Sequence, residues 1–162
     1  MEIKEKRVPS RKVAYVPHTD SFQKIPEFID EVIQLVQENG LELTGLVYGT
    51  YHNGIKELVE TRQDFEIGVS IKDFQADGNP AGRIGKLGLK EITDHTVLSA
   101  IHKGSHKTFN KTVEELVNYS LENNYDIVGP ITEIYLPSFS EKKVEDQKTE
   151  IQIPVINMNP QK

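Results

Sequence analysis

A gapless internal match constrains this chain more than any other feature. Sliding the sequence by 84 positions lays Val13 on Val97, His18 on His102 and Ser21 on Ser105. The same shift pairs Glu31 with Glu115, Glu38 with Glu122, Asn39 with Asn123 and Gly45 with Gly129. It also pairs Tyr51 with Tyr135, Glu66 with Glu150 and Ile67 with Ile151. Patterns repeat along with identities. Ile25, Phe28, Ile29, Val32, Leu35 and Val36 stand at helical spacing and predict a helix from about Ile25 to Asn39. Pro26 suits its first turn and Gly40 a left-handed stop. Phe109, Val113, Leu116, Val117 and Leu121 repeat the apolar stripe, and Asn124, which tolerates the left-handed region, takes the place of Gly40. Scattered identities arise by chance, but a register that keeps helix, stop and strand faces points to a duplicated unit.

Each half reads as strand, helix, strand, strand. Val13-Ala14-Tyr15-Val16 is a short β-prone run closed by Pro17. Leu46–Tyr51 reads as a strand and Asn53-Gly54 as a turn. From Phe65 to Ile71 the residues alternate, with Ile67, Val69 and Ile71 inward and Glu66, Gly68 and Ser70 on the other side. Thr149–Val155 copies that alternation. Residues 72–88 break the pattern, with Asp77-Gly78-Asn79-Pro80 and Gly82, Gly85 and Gly88 as linker signals. They lack the spacing and the Lys-Ser/Thr of a phosphate loop. The expected architecture is α+β: two tandem pseudo-symmetric β-α-β-β repeats forming an antiparallel sheet, helices on one face, with a groove between the repeats. The expected organisation is a single domain over residues 1–162. Repeat 1 covers about 1–71, a linker about 72–86, repeat 2 about 87–155 and a tail 156–162.

The most informative strand is Gly129–Pro137. Alternation puts Ile131, Glu133 and Tyr135 on one face and Thr132, Ile134 and Leu136 on the other. The second set is mostly apolar and fit for a core. The first carries a carboxylate beside a phenol, and charge is costly to bury without a partner. Either that face meets water, or it lines a groove where Glu133 meets a ligand. The two non-helix faces, or the seam between the halves, are the natural places for a cleft. Under the 84-residue shift Glu133 falls on Gly49, so one half offers a carboxylate where the other offers space.

Composition excludes several function classes. The chain has 162 residues, a net charge of −6 and a pI near 5.4, which argues against an extended nucleic-acid face. Five of the first twelve residues are Lys or Arg, which reads as a solvated basic end. With no cysteine there is no disulfide or thiol chemistry. The N-terminus lacks the apolar core of a signal peptide, and no apolar run is long enough for a membrane, so a cytoplasmic protein is expected. His102 and His106 are spaced HxxxH, but a glycine turn separates them, and His18 is the counterpart of His102, so both read as structural. No metal and no cofactor are expected.

Four segments resemble the GyrI-like, or transcription-activator effector-binding, domain. They are His102-Lys103-Gly104-Ser105, Leu121-Glu122-Asn123-Asn124-Tyr125, the G-P-x-x-E-x-Y strand from Gly129 to Tyr135, and Thr149–Val155. The resemblance covers nearly the whole chain and includes the two-repeat plan. It implies a small-molecule ligand, amphipathic and cationic, in an aromatic-lined groove. Glu133 would neutralise the cation, with Tyr135, Tyr51 and Tyr15 as walls, Glu150 and Glu66 along the same groove, and Gly49 as the open position. A solvated strand face is the alternative for Glu66 and Glu150, and the preferred one for Glu66. The chain resembles stand-alone members, since no helix-turn-helix precedes residue 1, and it lacks the Trp that many relatives have. Two other functions stay open. A hydrolase of electrophilic small molecules would use Glu133 as its catalytic residue to activate water, with Tyr135 or Tyr51 as donor. A regulatory contact with a protein partner, gyrase or a regulator, would suit the acidic charge.

Overall fold

The computed structural model describes residues 2–52, 63–73, 81–104, 106–136 and 148–159. The expected Asn53-Gly54 turn, the Asp77–Pro80 linker signals and Pro137 lie outside them. The strands are β1 (Lys4–Val8), β2 (Arg11–Asp20), β3 (Leu43–Tyr51), β4 (Gln63–Ile71), β5 (Ala81–Ile84), β6 (Leu87–Ile92), β7 (His95–Lys103), β8 (Tyr125–Ile127), β9 (Ile131–Tyr135) and β10 (Lys148–Asn157). The helices are α1 (Ile25–Glu38) and α2 (His106–Glu122), and a 3-10 turn, Phe22–Lys24, leads into α1. The fold is α+β, one large antiparallel sheet with two helices.

The strand order is β1-β7-β10-β9-β3-β4-β2-β6-β5, with β8 beside β10. Its midpoint is the β9–β3 seam, where Tyr51 faces Ile131 and Gly49 faces Glu133. On one side Val16 lies opposite Ile67 and Ile67 opposite Gly49. On the other, Ala100 lies opposite Ile151 and Ile151 opposite Glu133. The outer strands cross between the halves. β1 pairs with β7, with Lys4 opposite Ser99, and β6 pairs with β2, with Gly88 opposite Tyr15.

The helices form for the reasons their sequences suggest. Ile25, Val32 and Val36 of α1 and Phe109, Val113 and Leu116 of α2 are buried in one cluster with Ile67, Val69, Ile151 and Ile153. Both helices therefore cover the same sheet face. Each fully buried aliphatic side chain of that size contributes about 1.5–3 kcal/mol. Pro26 sits in the first turn of α1, and Gly40 and Asn124 adopt φ of 70° and 64° behind the two helices.

Three expectations change. The stretch read as a linker carries β5 and the start of β6, a hairpin on the β2 edge with Gly85 at φ 59°. Turn residues mark a hairpin as readily as a linker. The basic end is a strand: its charged side chains are exposed, but its backbone is paired to β7. And β2 runs on through Pro17. Its pairing with β6 stops at Tyr15, so Pro17 stands where β2 has become an edge, a position that tolerates a missing N–H.

The core face of β9 is also reversed. Ile131 and Tyr135 join the main core under the helices, while Ile134 joins a small second cluster on the outer face with Val13 and Tyr48. Glu133 therefore points to the helix side. Local alternation defines two faces but does not say which the helices cover. Among the described residues, no helix is long and apolar enough to cross a membrane.

Candidate functional site

The seam brings four of the expected residues together on the helix-covered face: Glu133, Tyr135, Tyr51 and Gly49. Glu133 is 3 % exposed. Its carboxylate is held from both sides. The Tyr51 hydroxyl, from β3, donates to Oε1, and Thr149 Oγ1, from β10, donates to Oε2 at 2.7 Å. The hydroxyls of Tyr51 and Tyr135 are 3.3 Å apart. A carboxylate is tolerable at this depth because hydroxyl donors replace the water it gave up.

Gly49 is where the sheet makes room. A Cβ there would stand 2.6 Å from the Tyr135 hydroxyl and 3.3 Å from Ile67 Cδ1. The space left by the missing side chain is filled by the phenol across the seam. Aromatic rings close the rest. Phe22, from the 3-10 turn, meets Tyr51 edge-on at 5.0 Å, and Phe109 of α2 meets it at 5.5 Å. Phe65 lies 6.4 Å away.

Burial pushes the Tyr51 and Tyr135 phenols well above the ordinary range, and the negative charge of Glu133 adds to it. Both therefore stay protonated near neutral pH. The arrangement is a buried acceptor met by hydroxyl donors, with aromatic rings packed around Tyr51.

The other three expected residues lie elsewhere. Tyr15, Glu66 and Glu150 occupy the opposite face, because Ile67 and Ile151 share the face of Glu133 and their neighbours alternate away. Glu66 is not solvated, as the alternative reading held. It is 4 % exposed, accepts from the Tyr48 hydroxyl at 2.6 Å and pairs with Lys90 Nζ at 2.8 Å. Tyr48 seals it, lying over Gly68 in the space a side chain would take. Tyr15 packs in the same way over Gly88, with Lys90 Nζ 4.2 Å from its ring centre. Glu150 Oε2 accepts from Lys6 and Ser99 at 2.7 Å and from Gln152 at 2.9 Å. It lines a hollow of about 310 Å³ with Lys4, Lys6, Ser99 and Ile101. Burial alone would raise the Glu150 carboxyl, but those three donors together hold it below its usual range.

The two equivalent histidines are built into the helix-side packing. His18 stacks on Phe28 at 3.7 Å, and His102 Nδ1 lies 3.2 Å from Thr112 Oγ1. Three residues at the seam were not expected there from the sequence: Thr149, Phe22 and Phe109. Thr149 begins the inward series that continues with Ile151 and Ile153, and a hydroxyl heading an apolar row was the available signal. Phe109 was legible as helix stripe, but not as a wall. Phe22 lies between strand and helix and carried no pattern.

Comparison with known proteins gives this geometry a context. No curated protein matches the chain. The crystal structure of the EcmrR C-terminal domain superposes with a TM-score of 0.81 at 24 % identity, covering 97 % of this chain and 98 % of that one. EcmrR in a cryo-EM complex with DNA gives 0.83 at 23 % identity over 97 % of this chain. The chain spans 58 % of the length of that protein. SAV2435, solved bound to tetraphenylphosphonium, gives 0.60 at 17 % identity, covering 98 % of this chain and 96 % of that one. At these identities the likeness concerns the fold. The model of the GyrI-like small molecule binding domain matches residues 1–156, and the chain belongs to that family.

Proposed function

We propose that this domain binds amphipathic small molecules, cations foremost, at the seam between its halves. Glu133 supplies the counter-charge, and Tyr51 and Tyr135 supply the walls. The observation that carries this reading is the Glu133 carboxylate, 3 % exposed and bonded to Tyr51, whose ring is packed between Phe22 and Phe109. Tyr51 and Thr149 donate hydrogen bonds to it and fix its place at the seam. A lipophilic cation would pair with the carboxylate and bury apolar surface in the same step, so attraction and desolvation act together. SAV2435, a protein of this fold solved with a phosphonium cation, makes that ligand class a suitable first probe.

The test is calorimetric titration with tetraphenylphosphonium and with triphenylphosphine oxide, a neutral compound of similar shape. The cation is expected to bind the wild type and to lose at least tenfold affinity in Glu133→Gln, while the neutral compound changes little. At a hundredfold excess over its dissociation constant the cation should add about 2.7 kcal/mol of stability. Equal affinity of wild type and Glu133→Gln for the cation would overturn the reading.

A further inference from the structure

We propose that Thr149 is a positioning residue for this site: its hydroxyl, with that of Tyr51, clamps the Glu133 carboxylate in one orientation and keeps it ionised. This rests on the reading of Glu133 as counter-charge only for its effect on a ligand; the effect on the carboxylate itself stands apart.

Geometry motivates it. β9, which carries Glu133, lies between β3 and β10. Tyr51 reaches Oε1 from one neighbour and Thr149 reaches Oε2 from the other. With donors reaching the two oxygens from opposite sides, rotation of the carboxylate breaks a bond whichever way it turns. Thr149 stands opposite Tyr135 in the β9–β10 register and is 2 % exposed, so water does not compete for its hydroxyl. Tyr51 on β3 and Tyr135 on its own strand face the carboxylate, and both phenols are held neutral. On β7, His102 is engaged with Thr112 and Phe109.

The other half supplies an independent observation. Displaced by 84 positions, Glu133 corresponds to Gly49 and Thr149 to Phe65. Phe65 faces Tyr51 across β4–β3 as Thr149 faces Tyr135 across β10–β9. The half without the carboxylate has no hydroxyl at the matching place but a phenyl ring. Carboxylate and threonine are present together or absent together. A threonine serving only to fill space has no reason to follow the glutamate.

A donor to the ionised form lowers the pH at which a carboxylate takes up a proton, so removing it moves that midpoint upward. The experiment is a carbon-13 NMR titration of the side-chain carboxyl in ligand-free protein, its resonance assigned by loss in Glu133→Gln. Thr149→Val keeps the shape and deletes the hydroxyl. Its midpoint is expected to rise by about one pH unit, and Thr149→Ser to restore the wild-type value. The affinity for tetraphenylphosphonium at pH 7 should fall several-fold in Thr149→Val and recover in Thr149→Ser. If Thr149→Val does not fold, Thr149→Ala carries the same comparison. An unchanged midpoint in the folded variant overturns the role of Thr149. A shifted midpoint with phosphonium affinity equal in wild type and Glu133→Gln leaves the clamp standing and overturns the ligand reading instead.

Discussion

The two sides of the seam have the same skeleton and different contents. On the helix face, the C-terminal side carries Glu133 and Thr149 where the N-terminal side carries Gly49 and Phe65. On the outer face the contrast runs the same way. Tyr48 and Tyr15 fill the N-terminal side, lying over Gly68 and Gly88. The corresponding residues on the C-terminal side are Thr132, Ser99, Gln152 and Lys4, and a hollow of about 310 Å³ is lined by Lys4, Ser99 and Glu150. Both sides keep one lysine–glutamate pair across the crossed strand, Lys90 with Glu66 and Lys6 with Glu150. A single backbone plan thus accepts either an aromatic plug or a polar group at matching places.

The sharpest way to test that contrast is to make one side resemble the other. Phe65→Thr places the C-terminal residue in the N-terminal side, where Gly49 offers no carboxylate to receive its hydroxyl. Phe65 is 1 % exposed, so the change leaves a cavity and an unsatisfied hydroxyl. The expected loss is about 3–5 kcal/mol by urea denaturation. A loss under 1 kcal/mol would mean that the aromatic plug is not structural.

Next comes Gly68→Ala. Its Cβ would lie 2.5–2.6 Å from two ring carbons and the hydroxyl of Tyr48, which is fully buried and cannot swing away. The cost should be about 1–3 kcal/mol in the same measurement. The matching position, Gln152, already carries a side chain, so Gln152→Ala should cost clearly less.

The lysine–glutamate pairs separate the sides more finely. Glu66 is more enclosed than Glu150, with side-chain exposures of 6 % and 14 %. Lys90→Met should cost about 1–3 kcal/mol by leaving a buried charge underpaired. Lys6→Met should stay under about 1 kcal/mol, because Ser99 and Gln152 still hold Glu150. Equal losses would erase the distinction.

The smallest effect is a pH dependence. Burial holds the His18 imidazole below its usual value, against a raising influence from Glu31. A depressed histidine binds its proton more readily in the unfolded chain. Stability is therefore full above pH 6.5, the ordinary histidine value, and declines as pH falls below it. His102, the counterpart, is hydrogen-bonded to Thr112 where His18 stacks on Phe28. Urea midpoints between pH 7.5 and 5.5 should fall less in His18→Gln than in the wild type, and an identical slope would remove His18 as the cause.

Much of the fold was legible. The stripe Ile25–Val36 and its partner Phe109–Leu121 gave both helices, because apolar spacing at 3.6 residues is a local property of the chain. The strand faces at Ile67–Ile71 and Ile151–Ile153 were legible for the same reason. The hairpin β5–β6 was not, since its glycines look alike whether they end a strand or join two. The site was half legible. Glu133, Tyr51, Tyr135 and Gly49 were found through a motif and an internal match. Tyr15, Glu66 and Glu150 were grouped with them only because alternation says which residues share a face within a strand, not which faces meet across a sheet.

The sequence by itself determined the two helices, the central strands, the helix stops and the residues that break the match between the halves. These follow from neighbours a few positions apart, whose spacing and conformational preference need no third partner. Only the tertiary structure decided that the helices cover the face bearing Glu133, that Thr149 meets its carboxylate, and that β1 and β6 cross between the halves. Those outcomes turn on pairings between residues scores of positions apart. Their free energy comes from burial and hydrogen bonds that exist only once the sheet has closed.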